Sequence, residues 1–124
     1  VVDDDPDVRA VTGAILSEQG CRVVEVANGL AAIDAASSGE AFDVVLLDFA
    51  MPGMNGGETA ARLQRLGLDL PIVMMSGFAD VETLSAYWNG PLLHKPFSAA
   101  NLCSQIAAAV GSGMGMVVRL RPSF

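Results

Sequence analysis

Short β-branched or continuously apolar runs alternate with Ala-rich, helically spaced segments along this chain, and four of the five apolar runs lead into acids, a serine or a lysine. Val1-Val2, residues 22–27 (RVVEVA), 43–47 (DVVLL), 71–75 (PIVMM) and 92–94 (LLH) read as strands. Residues 6–19, 29–37, 58–66, 80–88 and 98–110 read as helices. Asp5 before Pro6 is a ready N-cap, Gly20 a helix stop and Ser98 a second cap. DVVLL has no polar alternation, as a strand covered on both faces requires. Strands and helices in strict alternation predict βαβ units, hence an α/β fold with a doubly wound, five-stranded parallel sheet and five helices. Right-handed crossovers then place helices on both faces. Function in such sheets gathers at the carboxyl ends of the strands, so the polar residues that follow each strand carry the argument.

Size and charge narrow the classes. A chain of 124 residues makes one domain, and 52% hydrophobic against 17% charged residues argues against disorder. The net charge of −7 argues against direct nucleic-acid binding and against contact with anionic membranes through this surface. Cys21 and Cys103 match no metal spacing and read as thiols of a reducing, cytoplasmic compartment. No run is long and apolar enough for a membrane span, and no signal peptide opens the chain. Val1-Val2 reads as the end of a strand already under way, so a portion of a longer chain is expected. Residues 1–110 are expected to form the domain. Residues 111–124 (GSGMGMVVRLRPSF) change character and read as a tail, linker or expression remnant.

The strand ends bring chemistry together. Asp3, Asp4 and Asp5 follow the first strand, Asp48 the third, Ser76 the fourth, and Lys95-Pro96 the fifth. In a parallel sheet these crowd one edge. Converging carboxylates repel each other in a poorly solvated cleft and require a cation. Oxygen-only ligands select a hard ion, and Mg²⁺ is the usual one where phosphate is handled. Its ligands would be Asp4 and Asp48, a backbone carbonyl of the following loop and waters, one of them held by Asp3. Lys95 is the chain's only lysine. Its ammonium would favour ionised Asp48 and then neutralise a phosphoryl oxygen, with Ser76 donating to another. Asp48 would be the nucleophile of a phosphoryl transfer.

The segments VVDDDPDVR, DVVLLDFAMPGMNG, PIVMMSG and HKPF, in this order over residues 1 to about 110, resemble the receiver domains of two-component response regulators and hybrid histidine kinases. SGFADVETL leans toward the hybrid kinases. The resemblance implies a flavodoxin-like fold, with Asp48 accepting phosphate from a histidine kinase or histidine phosphotransfer domain. It implies Asp3 and Asp4 as the acidic Mg²⁺ pair, Ala50 as the carbonyl ligand, Ser76 as the switch hydroxyl and Lys95 as the phosphate-sensing cation. It further implies a cis Lys95–Pro96 bond, and an output surface of the fourth helix, fifth strand and fifth helix.

Two departures stand out. Leu92 occupies the position, three before the lysine, where the family usually has an inward-swinging aromatic. The connection from Ser76 to Lys95 is short, which predicts a clipped fourth helix. Ala50 and Phe78 flank the expected phosphoryl position without a group to orient water, which predicts slow self-dephosphorylation. Two other readings compete with the phosphoacceptor reading. One is a phosphorylation-independent interaction module of the same fold, against which the intact acidic set, Ser76 and Lys95 argue. The other is an Asp-nucleophile phosphohydrolase, whose general acid is usually two residues beyond the nucleophile, where this chain has Ala50. His94 reads as a strand-end histidine, the methionines as packing residues, and Tyr87 and Trp88 as packing near the fourth helix.

Overall fold

The computed structural model describes residues 1–77 and 80–110. Phe78 and the 111–124 segment lie outside the described residues. Five helices are present: α1 (Pro6–Glu18), α2 (Gly29–Ser37), α3 (Gly56–Arg65), α4 (Val81–Tyr87) and α5 (Ala99–Ala109). Three strands form a parallel sheet, β1 (Val45–Asp48), β2 (Ile72–Ser76) and β3 (Leu92–His94), in the order β1-β2-β3.

The two remaining expected strands are present as single parallel bridges rather than ladders. Val2 pairs with Leu47 on one side and Val26 on the other. Val2 N–H donates to Leu46 O (2.8 Å), Asp48 N–H to Val2 O (2.9 Å), and Asp3 N–H to Val26 O (3.2 Å). Val26 N–H also donates to Val1 O (3.0 Å), so residues 22–27 meet the Val1–Asp3 segment through backbone bonds in both directions. Counting the bridged segments, the order across the sheet runs Val26, Val2, β1, β2, β3. The chain thus starts near the middle and winds outward both ways, as the doubly wound expectation requires.

Period-two alternation divides the core. Val44, Leu46, Val73 and Met75 face one side, with Leu16 of α1 and Leu102 and Ile106 of α5. Val45, Leu47, Ile72 and Met74 face the other, with Ala32 and Ala36 of α2, Ala60 and Leu63 of α3, and Leu84 of α4. Leu46, Leu47, Val73, Met74 and Met75 are almost wholly buried, so truncating Leu47 to Ala costs about 2–5 kcal/mol.

Local signals set the helix ends. Asp5 Oδ1 accepts from the N–H groups of Asp7 (2.9 Å) and Val8 (3.3 Å). α3 starts two residues before the expected Glu58, because Asn55 and Glu58 form a capping box. Gly56 there is a close approach: a Cβ on it would lie 2.5 Å from Asp48 O and 2.7 Å from Phe49 Cα. α4 is clipped, as the short connection predicts; it has seven residues and no side-chain N-cap bond.

Candidate functional site: an acidic pocket closed by one lysine

Asp48 ends β1, pairs with Met75 and is 4% exposed. Asp3 follows the Val2 bridge and is fully buried, while Asp4 is exposed. One carboxylate oxygen from each of Asp3, Asp4 and Asp48 lies within 4.8 Å of the others. Lys95 reaches this pocket from the turn after β3. Its N–H donates to Ser76 O (2.7 Å), and its Nζ donates to Asp48 Oδ1 (2.9 Å) and Asp3 Oδ2 (3.0 Å). The Lys95–Pro96 bond is cis, as expected.

Burial pushes the Asp48 carboxyl up to about 6; the Lys95 hydrogen bond opposes the rise, and repulsion from Asp3 and Asp4 adds to it. Burial lowers Lys95, but its bonds to Asp48 and Asp3 outweigh that and raise it overall. The ammonium therefore stays charged while Asp48 is close to its protonation midpoint in weak acid.

Asp3 is fully committed, its Oδ1 accepting from Asp5 N–H (3.0 Å) and its Oδ2 from Lys95. Asp4 carries no side-chain hydrogen bond among the described residues, and Lys95 engages only one oxygen of Asp48. The donor set thus offers a hard cation the exposed Asp4 carboxylate, the second oxygen of the buried Asp48 and a third carboxylate already held. Ala50, two residues past Asp48, is exposed on the loop that leaves β1.

The sheet edge brings Asp3, Asp4, Asp48 and Lys95 together. Ser76 is treated differently. It is fully buried at the end of β2, and its Oγ lies 3.4 Å from His94 Nδ1, a long contact; it makes no hydrogen bond to the acids. His94, read as a plain strand-end residue, is thus the neighbour of the expected switch hydroxyl. Phe49 and Tyr87 were not paired in the sequence reading. Their rings lie 6.0 Å apart at 54°, and Gly57 makes room, since a Cβ there would meet Tyr87 Cβ at 2.4 Å. Arg9 was also missed. Its Nη1 donates to Asp3 O at 2.7 Å. The available signal was its place one helical turn beyond the Asp5 cap, which turns it back toward the strand end.

Residues 1–107 match the response regulator receiver domain family. Transcriptional regulatory protein TcrA of Mycobacterium tuberculosis is 34% identical over 111 residues, 87% of this chain. The chain spans 44% of the length of that relative. Sporulation initiation phosphotransferase F of Bacillus subtilis is 30% identical over 100 residues, covering 78% of this chain and 80% of the relative. Among solved structures, the receiver domain of a Pseudomonas aeruginosa sensor histidine kinase, with a magnesium ion coordinated in its active-site cleft, superposes with a TM-score of 0.80 at 28% identity; the match covers 90% of this chain and 94% of that one. A response regulator receiver protein from Sinorhizobium medicae matches with a TM-score of 0.80 at 26% identity, over 90% and 91% of the two chains. The chain belongs to the response regulator receiver domain family, the receiver of two-component signalling. Its flavodoxin-like fold is the one these structures share. No helix among the described residues is long and apolar enough to cross a membrane.

Proposed function

We propose that Asp48 is the phosphoacceptor, taking a phosphoryl group from the phosphohistidine of a histidine kinase or histidine phosphotransfer domain. The observation that carries this reading is the pairing of a buried strand-end carboxylate with the chain's one lysine, 2.9 Å apart, inside a three-acid pocket. An Asp48 oxygen attacks phosphorus, a P–O bond forms, and the P–N bond breaks with its electron pair returning to the imidazole, which takes a proton. Lys95 offsets the charge on the transferring oxygens.

Asp4 and Asp48 are the direct ligands of Mg²⁺ in this reading, with the Ala50 carbonyl. Asp3, both oxygens engaged, acts through a water or by sharing the oxygen held by Lys95. The ion, when bound, supplies electrostatic stabilisation of phosphoryl oxygens. A magnesium-bearing relative of the same fold supports this assignment. Once Asp48 carries phosphate, Ser76 turns from His94 toward it, and loops after β1 and β2 change population.

An open groove of about 470 Å³, lined by Val8, Val11 and Ile15 of α1 and by Lys95, Pro96 and Phe97, adjoins the pocket. Val11 is 61% exposed there, and an apolar face beside the phosphoacceptor suits a docking kinase or phosphotransfer domain. Direct nucleic-acid binding and membrane contact are not part of this reading, given the net charge of −7. We place the domain in the cytoplasm, as residues 1–110 of a chain whose 111–124 segment serves as a tail or linker. Ala50 carries only a methyl group, so the aspartyl phosphate is long-lived; Ala50→Asn or Phe78→Glu changes its lifetime.

Incubation with a small-molecule phosphodonor and Mg²⁺ tests the reading. One equivalent of acid-stable, hydroxylamine-labile label on Asp48, absent in Asp48→Asn, is expected. No labelling points instead to a phosphorylation-independent module, and many turnovers to a phosphohydrolase.

A further inference from the structure

The carbonyl of Asp3 belongs to the peptide that joins Asp3 to Asp4. Its orientation therefore sets where the Asp4 side chain starts. Asp4 needs such help, because its carboxylate has no hydrogen bond of its own among the described residues. The Asp3 side chain is anchored at both oxygens, and its N–H donates to Val26 O. Among the described residues, the Asp3–Asp4 peptide oxygen is held by a single side chain, Arg9, whose Nη1 donates to it at 2.7 Å.

Arg9 is itself aimed. Its Nε faces Glu25 Oε1 at 3.9 Å, a partly exposed pair that contributes little to stability as an ion pair. The geometry is nonetheless specific. The Glu25 carboxylate lies over α1 at Gly13, where a Cβ would stand 2.6 Å from Glu25 Oε2. A glycine in the second turn of α1 thus makes room for the acid that faces Arg9. Glu25 also precedes Val26, which pairs with Val2 and accepts from Asp3 N–H. Glu25, Arg9 and the Asp3–Asp4 peptide form one chain of contacts around the rear of the pocket.

We propose that Arg9 is a positioning residue for the divalent-cation site, pinning the Asp3–Asp4 peptide so that Asp4 is presented to the ion, with Glu25 over Gly13 orienting the guanidinium. The proposal rests on the reading of Asp3, Asp4 and Asp48 as that site. Its sign separates it from plain electrostatics. Arg9 is a cation beside three acids, so as a point charge it repels Mg²⁺, and its removal would tighten binding. As a positioning residue its removal loosens binding, by about 10-fold on the scale of outer-shell partners of metal ligands.

The test is calorimetric titration of Mg²⁺ alone into the protein, without phosphodonor. Arg9→Met is expected to weaken binding about 10-fold. Arg9→Lys, which keeps the charge and one donor, recovers part of the loss. Glu25→Gln weakens it by a smaller factor with Arg9 intact, and serves as the second arm should Arg9→Met fold poorly in metal-free melts. Unchanged or tighter binding in folded Arg9→Met, or Arg9→Lys equal to wild type with Glu25→Gln silent, overturns the proposal. Failure of the wild-type protein to bind Mg²⁺, seen in the same titration, overturns the metal-site reading beneath it.

Discussion

The two flanks of the pocket are built to different standards. On the acid flank every backbone and side-chain group around Asp3 is tied down: Asp5 and Lys95 hold its oxygens, Val26 its N–H and Arg9 its carbonyl. On the switch flank, Ser76 has one long contact, and α4 is seven residues without a side-chain cap, held by Leu84, by the Phe49–Tyr87 contact and by Trp88 Nε1 donating to Pro91 O at 2.9 Å. A helix that short has no stability of its own and depends on packing. Chemistry that needs fixed charges sits on the over-determined side, and a response to phosphorylation is available only on the side that is free to rearrange.

Breaking the acid flank has the largest effect. Lys95→Met leaves Asp48 and Asp3 facing each other without their cation. Labelling by a small phosphodonor is expected to fall by about 10²-fold, the scale for losing one preorganised charge donor. Labelling within a few-fold of wild type would show that Lys95 is not needed for transfer. Substitutions on the switch flank, such as Tyr87→Ala, leave labelling within a few-fold, and the contrast between the two is the comparison in its sharpest form.

The acid flank also predicts a pH signature. Asp48 has an ordinary value of 3.8 and is raised to about 6 in the fold. The folded state then holds the proton more tightly than the unfolded one, so ionising Asp48 costs stability. The penalty is absent below the unfolded value, grows as pH rises toward about 6 and is complete above it, on the order of 2–3 kcal/mol. Metal-free Asp48→Asn should melt higher than wild type at neutral pH, with the gap closing as pH falls to about 4. A gap that stays constant with pH would mean that Asp48 is not raised.

Much of the acid flank was legible in the chain. Asp3, Asp4, Asp48 and Lys95 follow apolar runs, and a parallel sheet leaves such residues nowhere to go but one edge. What holds them was not legible. Arg9 acts through a backbone carbonyl, and no side-chain pattern announces that contact. The pairing of residues 22–27 by a single bridge was hidden too, since they have full strand character. The contacts of α4 were the hardest to read. Gly57 stands in a glycine pair at the start of α3, and no sequence pattern shows that it clears space for Tyr87.

Gly57→Ala probes that space directly. The added methyl would meet Tyr87 Cβ, so the ring must leave Phe49 and α4 must shift. The aromatic pair is worth about 0.5–1.5 kcal/mol, partly offset by the better helix propensity of Ala over Gly. Because the clash is with Cβ and not with a flexible side-chain end, overpacking adds to this, and the expected loss of stability is about 1–3 kcal/mol, with a clear change in the fluorescence of Trp88, the chain's one tryptophan. Unchanged fluorescence would show that α4 is not seated through this contact.

The smallest effect is expected at Leu92, and it decides how the switch flank works. Leu92 is half-buried on β3, paired in register with Met74 and packed against the cluster that includes Leu84. Leucine has no planar ring to swing into space that a moving serine hydroxyl would open, so no relay through this position is expected. Leu92→Ala should thus cost about 1 kcal/mol through lost packing, while the response of Trp88 fluorescence to a beryllofluoride phosphoryl mimic with Mg²⁺ stays as in wild type. If that response disappears in Leu92→Ala while Asp48 still takes up the mimic, the relay runs through β3 after all. The looseness of α4 would then be a consequence of its shortness and not the means by which the signal leaves the pocket.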